Sequence, residues 1–125
     1  MTTDPPLNGL DVLLVEDESL VSFLLEDMLK ELGAGDVRTA NRLDAGFTRA
    51  AEKTPALAVL DVNLGGQPIF PLAQKLAAQR VPLVFITGYG RSGLGKEWDG
   101  YEVLQKPLTV EQLETCVRRA LKPAA

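Results

Sequence analysis

The chain of 125 residues contains no histidine and a single cysteine, Cys116. Without histidine, catalysis by an imidazole base and metal sites with histidine ligands are excluded. One thiol forms no disulfide within the chain, which is the pattern of a reducing compartment such as the cytoplasm. Any metal site must use oxygen ligands, and such ligands favour a hard cation of the Mg²⁺ type.

The sequence also lacks a basic excess, a long apolar run and a signal-like segment. Lysine and arginine number 13 against 17 aspartate and glutamate residues, so the net charge is −4. This balance argues against nucleic acid as a direct partner, because neutralising phosphates requires a basic surface. No apolar stretch is long enough to cross a bilayer. We therefore expect a cytoplasmic protein that binds neither DNA nor membrane.

The residues that are present suit one domain with a sizeable core. Hydrophobic residues make up 46% of the chain and charged residues 24%, as in ordinary globular proteins. Residues 1–9 contain turn-forming proline and glycine and are expected to be a tail. Residues 10–122 are expected to form the domain, with no output domain.

Strand-like and helix-like segments alternate along the chain. The strand-like segments are 12–15, 36–40, 57–60, 83–86 and 101–105. Strands joined by helices pair in parallel, with helices on both faces of the sheet. The first, third and fourth segments are wholly apolar and are expected at the centre, whereas the other two carry polar residues and are expected at the edges. We predict an α/β fold, a doubly wound five-stranded parallel sheet in the flavodoxin-like order 2-1-3-4-5.

The helices are predicted from apolar spacing and from their end signals. The first helix is expected to turn one apolar stripe to the core, formed by Val21, Leu24, Leu25, Met28 and Leu32. Asn41 is the predicted cap of the second helix, and Thr109 with Gln112 is a predicted capping box of the last. Residues 88–100 contain five glycines and little helical periodicity, so the fourth helix is expected to be short or irregular.

Polar residues follow four of the five strands. The first strand ends in Glu16 and Asp17, the third in Asp61, the fourth in Thr87 and the fifth in Lys106. In folds of this kind, ligands bind beyond the carboxyl ends of the strands, where the strand order reverses. Three acids, one hydroxyl and one ammonium group are therefore expected to meet at one edge of the sheet.

This set of groups predicts phosphoryl transfer with a divalent cation. Two unit charges ~4 Å apart repel by about 4 kcal/mol at an effective dielectric constant of about 20. Mg²⁺ relieves such repulsion, because clustered carboxylates are among its preferred ligands. A carboxylate beside Mg²⁺, a lysine and a hydroxyl can act as the nucleophile, while the cations neutralise the phosphoryl oxygens. Asp61, at the tip of an apolar strand, is the predicted phosphate acceptor.

Other interpretations use the same residues. An aspartate after a strand is most often a turn former, and an acidic pair before a helix favours its dipole. A flavin-binding electron carrier on this fold would need a Ser/Thr/Gly-rich loop where Glu16 and Asp17 stand. An aspartate-nucleophile phosphatase would need a second acid at Asn63. A pseudo-receiver that only binds partners would not need the complete set of acids, threonine and lysine.

Four motifs together resemble the receiver domain of two-component response regulators. LLVEDE resembles the acidic pair after the first strand, LAVLDVNLGG the phosphoacceptor strand, FITG the hydroxyl after the fourth strand, and LQKPL the lysine–proline signature. The resemblance covers the chain from about Asp11 to Leu121. It implies a bacterial signalling phosphoprotein that is not an enzyme, beyond catalysing its own phosphorylation and dephosphorylation.

The resemblance also implies roles and partners. Asp61 would accept a phosphoryl group from a phosphohistidine of a sensor histidine kinase and signal to a downstream phosphotransfer or regulatory protein. Asp17 would bind Mg²⁺ directly and Glu16 through water, with Asp61 and the backbone carbonyl of Asn63 completing the protein's share of the metal sphere. The phosphoryl oxygens would be contacted by Thr87 and Lys106, and the Lys106–Pro107 peptide is commonly cis.

The sequence departs from the family's usual pattern at the switch residue. Receiver domains usually carry an aromatic residue three positions before the lysine, where this chain has Val103. FITGYG instead resembles a subgroup best known from alphaproteobacteria, with a Phe-Ala-Thr-Gly motif and often a receiver alone. We expect residues 88–100, with Tyr89 and Trp98, to become more ordered on phosphorylation. The alternative is that Trp98 packs permanently against the domain.

Overall fold

The computed structural model describes residues 4–88 and 93–122, in which a parallel sheet lies between two layers of helices. In chain order the elements are β1 (Asp11–Val15), α1 (Ser19–Glu31), β2 (Asp36–Ala40), α2 (Leu43–Glu52), β3 (Leu57–Asp61), β4 (Asn63–Leu64), β5 (Gln67–Pro68), α3 (Phe70–Ala78), β6 (Leu83–Thr87), a 3₁₀ turn (Lys96–Trp98), β7 (Glu102–Gln105) and α4 (Val110–Leu121). No helix within the described ranges has the length and apolarity needed to cross a membrane.

The order of the main sheet confirms the prediction. It runs β2-β1-β3-β6-β7 with every neighbouring pair parallel, which is 2-1-3-4-5 when only the five main strands are counted. All five residues of β3 and of β6 are buried, as expected for strands covered on both faces. The edge strands β2 and β7 carry most of the partly exposed residues, and among the central strands only Asp11 of β1 is partly exposed.

Successive residues of each central strand contribute to different cores. Helices α1 and α4 cover one face, where Leu14 and Val59 lie, and α2 and α3 cover the other, where Leu13 and Leu60 lie. Side chains alternate along a strand, so a strand with two covered faces must be apolar throughout. Leu7, within the segment expected to be a tail, is also fully buried, and its amide donates to the carbonyl of Leu32 at 3.0 Å.

Helix α1 differs from its predicted stripe. Leu25, Leu29 and Leu32 are buried, whereas Leu24 is 59% exposed. The buried residues follow one another at spacings of four and three, which defines one face of the helix. Leu24 belongs to the neighbouring row, and the spacing alone did not reveal which row faces the sheet. The prediction that Leu24 lies in the core is therefore wrong.

Of the two predicted helix caps, the structure confirms one and contradicts the other. In α4, Thr109 and Gln112 form the predicted capping box with bonds of 3.1 and 2.8 Å. Helix α2 begins one residue later than predicted, with Arg42 at the cap position and no side-chain cap, so the Asn41 cap is wrong.

Cys116 of α4 is buried, and burial together with the neighbouring Glu102 raises the pKa of its thiol to about 11.

A short antiparallel hairpin, β4 and β5, follows β3 and was not predicted. Its turn is formed by Gly65 and Gly66, whose φ angles are +57° and +94°. Two-residue hairpin turns of this kind require positive φ at both positions, which glycine adopts at little cost. The amide of Gly66 also donates to Oδ1 of Asn63 at 2.9 Å. The glycine pair after Asp61 is therefore a hairpin turn.

Trp98 is buried between α3 and the edge of the sheet. Its ring stacks on Phe70 at 5.9 Å between centroids and meets Phe85 and Tyr101 edge-on, each at 5.2 Å. In the described residues 93–100, only Gly93 and the turn that carries Trp98 are helical, and both are 3₁₀, so this part of the segment is short and irregular as expected. The packing favours the interpretation of Trp98 as a core residue, while Tyr89 lies outside the described residues.

We predict that Arg38 is a main source of stability at the β2 edge. Its guanidinium group forms two bonds with Asp11, of 3.1 and 2.7 Å, and also donates to the backbone carbonyls of Arg49 and Lys53 at the end of α2. Arg38→Ala should lower the free energy of unfolding by about 2 kcal/mol or more, because it leaves a partly buried carboxylate unpaired. Urea denaturation measures this change.

Two further variants check the cause. Arg38→Lys should recover only part of the loss, because an ammonium group does not form the forked pair. Arg118→Ala, which breaks an exposed ion pair with Glu114, should cost about 0.5 kcal/mol or less. Equal effects of Arg38→Ala and Arg118→Ala would contradict the role assigned to Arg38.

Candidate functional site

The predicted residues meet at the carboxyl edge of the sheet. Nζ of Lys106 lies 2.9 Å from Oε1 of Glu16 and 3.4 Å from Oδ2 of Asp61. The amide of Lys106 donates to the carbonyl of Thr87 at 2.8 Å, which fixes the end of β7 beside the end of β6. Glu16, Asp61 and Thr87 are the buried polar or charged residues of the described chain. Strands far apart in sequence thus supply one compact polar site.

Glu18 is a member of the site that sequence reasoning missed. The carboxylates of Glu16, Asp17 and Glu18 each offer an oxygen within 4.8 Å of the others. Oε1 of Glu18 also lies 3.3 Å from Nζ of Lys106. The available signal was a third acid immediately after the acidic pair, at a helix start where glutamate is not a favoured cap.

The donor set fits a hard divalent cation. Oε1 of Glu16 is buried, and its close partner is the ammonium group of Lys106 at 2.9 Å. The carboxylates of Asp17 and Glu18 lie close to that of Glu16, and carboxylate oxygens clustered in this way are among the ligands that Mg²⁺ prefers. The amide of Asn63 donates to Oδ1 of Asp61 at 3.3 Å, which holds the Asn63 backbone against the same carboxylate.

Burial and charge shift the titration of the central pair. Burial raises the pKa of Asp61, and the hydrogen bond and negative charge of Glu16 raise it further, to about 7, although Lys106 and the amide of Asn63 oppose the shift. For Lys106, burial lowers the pKa, but the hydrogen bond that it donates to Glu16 and the charge of Asp61 outweigh burial, and the net pKa is raised. The lysine therefore stays cationic, whereas Asp61 without a metal is partly protonated near neutral pH.

An apolar surface borders the site. Leu20, Phe23 and Leu24 are 78%, 66% and 59% exposed and form what we term the α1 patch. A groove of about 360 Å³ continues from it to Lys106. The groove is lined by Glu18, Val21, Leu24, Leu25, Met28, Lys106, Pro107 and Leu108. The Lys106–Pro107 peptide at its end is cis, as expected.

Known proteins with similar sequences are signalling proteins. Residues 12–118 match the family described as the response regulator receiver domain. The sensory transduction protein LytT of Bacillus subtilis strain 168 is 30% identical over 117 residues, which cover 90% of this chain and 48% of LytT. The chain spans about half the length of the curated relatives it matches.

Solved structures show the same fold. SdrG from Sphingomonas melonis Fr1 is 34% identical with a TM-score of 0.81, covering 90% of this chain and 97% of SdrG. The BeF3-activated conformation of SdrG from Pseudomonas melonis Fr1 is 31% identical with a TM-score of 0.77, and the match covers 97% of this chain and 100% of that one. The REC domain of the response regulator PhyR from Erythrobacter litoralis is 28% identical with a TM-score of 0.81. The match covers 94% of this chain and 97% of that domain.

We predict that Asp61→Asn stabilises the metal-free protein as the pH rises. The pKa of Asp61 is about 7 in the folded state against an ordinary value of 3.8. Between these values the folded state holds a proton that the unfolded state has released, so stability from Asp61 falls as pH rises through this window. Asparagine does not titrate. The gain in unfolding free energy should be small below about pH 4 and largest above about pH 7.

Denaturant titrations from pH 4 to 8 in the presence of a chelator measure this difference. Asp27→Asn, the same change at an exposed position of α1, is the matched control and should show no such trend. Added Mg²⁺ should reduce the difference between Asp61→Asn and the wild type, because a cation favours the ionised carboxylate. A difference that does not grow with pH would contradict the assigned environment of Asp61.

Proposed function

The chain belongs to the receiver domains of response regulators, and we propose that its Asp61 accepts a phosphoryl group from the phosphohistidine of a sensor histidine kinase in a Mg²⁺-dependent reaction. The observation that carries this proposal is the contact of Lys106 with both Glu16 and Asp61 at the tips of buried strands. A carboxylate beside a positive charge supports this proposal, because phosphoryl transfer needs a nucleophile and a group that stabilises the phosphoryl oxygens.

Mg²⁺ would be held by Glu16, Asp17, Asp61 and the backbone carbonyl of Asn63. When bound, it would neutralise phosphoryl oxygens and the charge of the clustered acids. The close approach of the carboxylates of Glu16, Asp17 and Glu18 supports this assignment.

Thr87 and Lys106 would each contact a phosphoryl oxygen on Asp61. Lys106 needs little movement, because its ammonium group already lies 3.4 Å from Asp61. Thr87 ends the strand next to β3 and is buried. Both would stabilise the added negative charge, Thr87 through a neutral hydrogen bond and Lys106 through a stronger, charge-assisted bond.

The kinase would dock on the α1 patch. A phosphohistidine must come within bonding distance of Asp61, so the kinase must cover the surface around the site. Leu20 and Phe23 offer apolar area there, next to the groove that leads to Lys106. When a partner covers such side chains, a few of them at the centre of the interface carry most of the binding energy.

The output would be a protein–protein contact or onward phosphotransfer in the cytoplasm. We assign the chain to the Phe-Ala-Thr-Gly subgroup, whose regulators often consist of a receiver alone. The motif FITG and the similarity to SdrG along 97% of its length support this assignment. The net charge of −4 supports a protein partner rather than DNA.

We predict one phosphorylation, at Asp61. With Mg²⁺ and acetyl phosphate, the intact mass of the wild type should rise by one phosphoryl group, whereas Asp61→Asn should gain none because it lacks the nucleophile. A chelator should abolish the gain in the wild type. Asp44→Asn, an exposed aspartate on α2, is the control and should be phosphorylated normally. Phosphorylation of Asp61→Asn would refute the assignment.

We predict that the α1 patch serves the kinase and not the chemistry. In the double variant Leu20→Ala/Phe23→Ala, transfer from a histidine kinase that phosphorylates the wild type should slow by about tenfold or more. The rate with acetyl phosphate should not change, because a small donor needs no docking surface. Lys30→Ala, at the other end of α1, is the control for both donors. Equal slowing with both donors would show that the double variant damages the site itself.

A further inference from the structure

Glu18 occupies the cap position of α1 without capping the helix. Its backbone is extended, with φ of −83° and ψ of 115°, and its side chain makes no bond to the first turn. Serine, threonine, aspartate and asparagine are the residues that cap helices well. The side chain of Glu18 instead reaches Lys106, which is 88 positions away in sequence. Helix formation therefore does not explain this residue.

Three carboxylates compete for the ammonium group of Lys106. The distances from Nζ are 2.9 Å to Glu16, 3.3 Å to Glu18 and 3.4 Å to Asp61, so the acceptor residue is not its nearest partner. Glu16 attracts the ammonium group from the protein interior, with 1% of its side chain exposed, and Glu18 attracts it from the solvent side, with 63% exposed. The ammonium group has three N–H donors and contacts all three carboxylates at once, so the position of Nζ reflects the balance of three attractions.

We propose, on the basis of the function proposed above, that Glu18 is a positioning residue that draws Lys106 away from Asp61 and thereby slows phosphorylation. During transfer from acetyl phosphate, an oxygen of Asp61 forms a bond to phosphorus. The bond from phosphorus to the acetate oxygen breaks, and acetate leaves with the electron pair. Negative charge on the phosphoryl oxygens must attract Lys106 in that step. The contact with Glu18 must then be given up, and this requirement slows the reaction.

The rate of mass gain with Mg²⁺ and acetyl phosphate tests this role. Glu18→Gln should be phosphorylated about threefold to tenfold faster than the wild type, because Lys106 loses a charged competitor. Glu18→Asp keeps the charge but is one methylene shorter, and aspartate at this position can cap α1 instead. We expect Glu18→Asp to be as fast as Glu18→Gln. Glu26→Gln removes the same charge from the same helix, where the partner is Lys30 at 3.0 Å, and should not change the rate.

A double variant shows whether the effect passes through the lysine. In a Lys106→Ala background, which is expected to be slow, adding Glu18→Gln should leave the rate unchanged, since coupled residues lose their effect when the shared partner is removed. A structural role for Glu18 would still appear in that background.

The outcomes separate this inference from the function on which it rests. If the wild type gains no phosphoryl group, the proposed function itself fails. If the wild type is phosphorylated, four results would each overturn the positioning role: an unchanged rate in Glu18→Gln, a wild-type rate in Glu18→Asp, equal acceleration by Glu26→Gln, or acceleration that persists without Lys106.

Discussion

The carboxyl edge of the sheet depends on one ammonium group. Lys106 lies against Glu16 and Asp61, two carboxylates that are almost completely buried. Burial and the negative charge of Glu16 both favour the protonated form of Asp61, and a nearby cation opposes them. The chain supplies that cation from its last strand. The same group is then in place to stabilise any negative charge that is added to Asp61.

The sheet makes this contact possible. Asp61 ends a strand with no exposed residue, and β6 separates it from the strand that leads to Lys106. The backbone bond between Lys106 and Thr87 fixes the height of the lysine relative to its neighbours. The parallel register thus brings residues that are distant in sequence within about three ångströms of one another. The helices cover both faces of the sheet and exclude water from them.

The sequence predicted those parts that depend on burial and on strand direction. Wholly apolar strands had to be central, and polar residues at their carboxyl ends had to meet, so Asp61 and Lys106 were found from pattern alone. Leu24 was misplaced because two adjacent helical rows carry similar residues and only contact with the sheet distinguishes them. Glu18 was missed because its partner is chosen by side-chain direction, which spacing does not encode. The packing of Trp98 required knowledge of the space beside Phe85.

The buried thiol of Cys116 has a practical consequence for labelling. Thiolate is the form that reacts with alkylating probes, and a group with a pKa of about 11 is almost entirely protonated at neutral pH. Cys116 of the native chain should therefore react only very slowly with maleimides under mild conditions. A cysteine introduced at an exposed position would be the one fast-reacting thiol, so spin labels or fluorophores can be attached singly without first replacing Cys116.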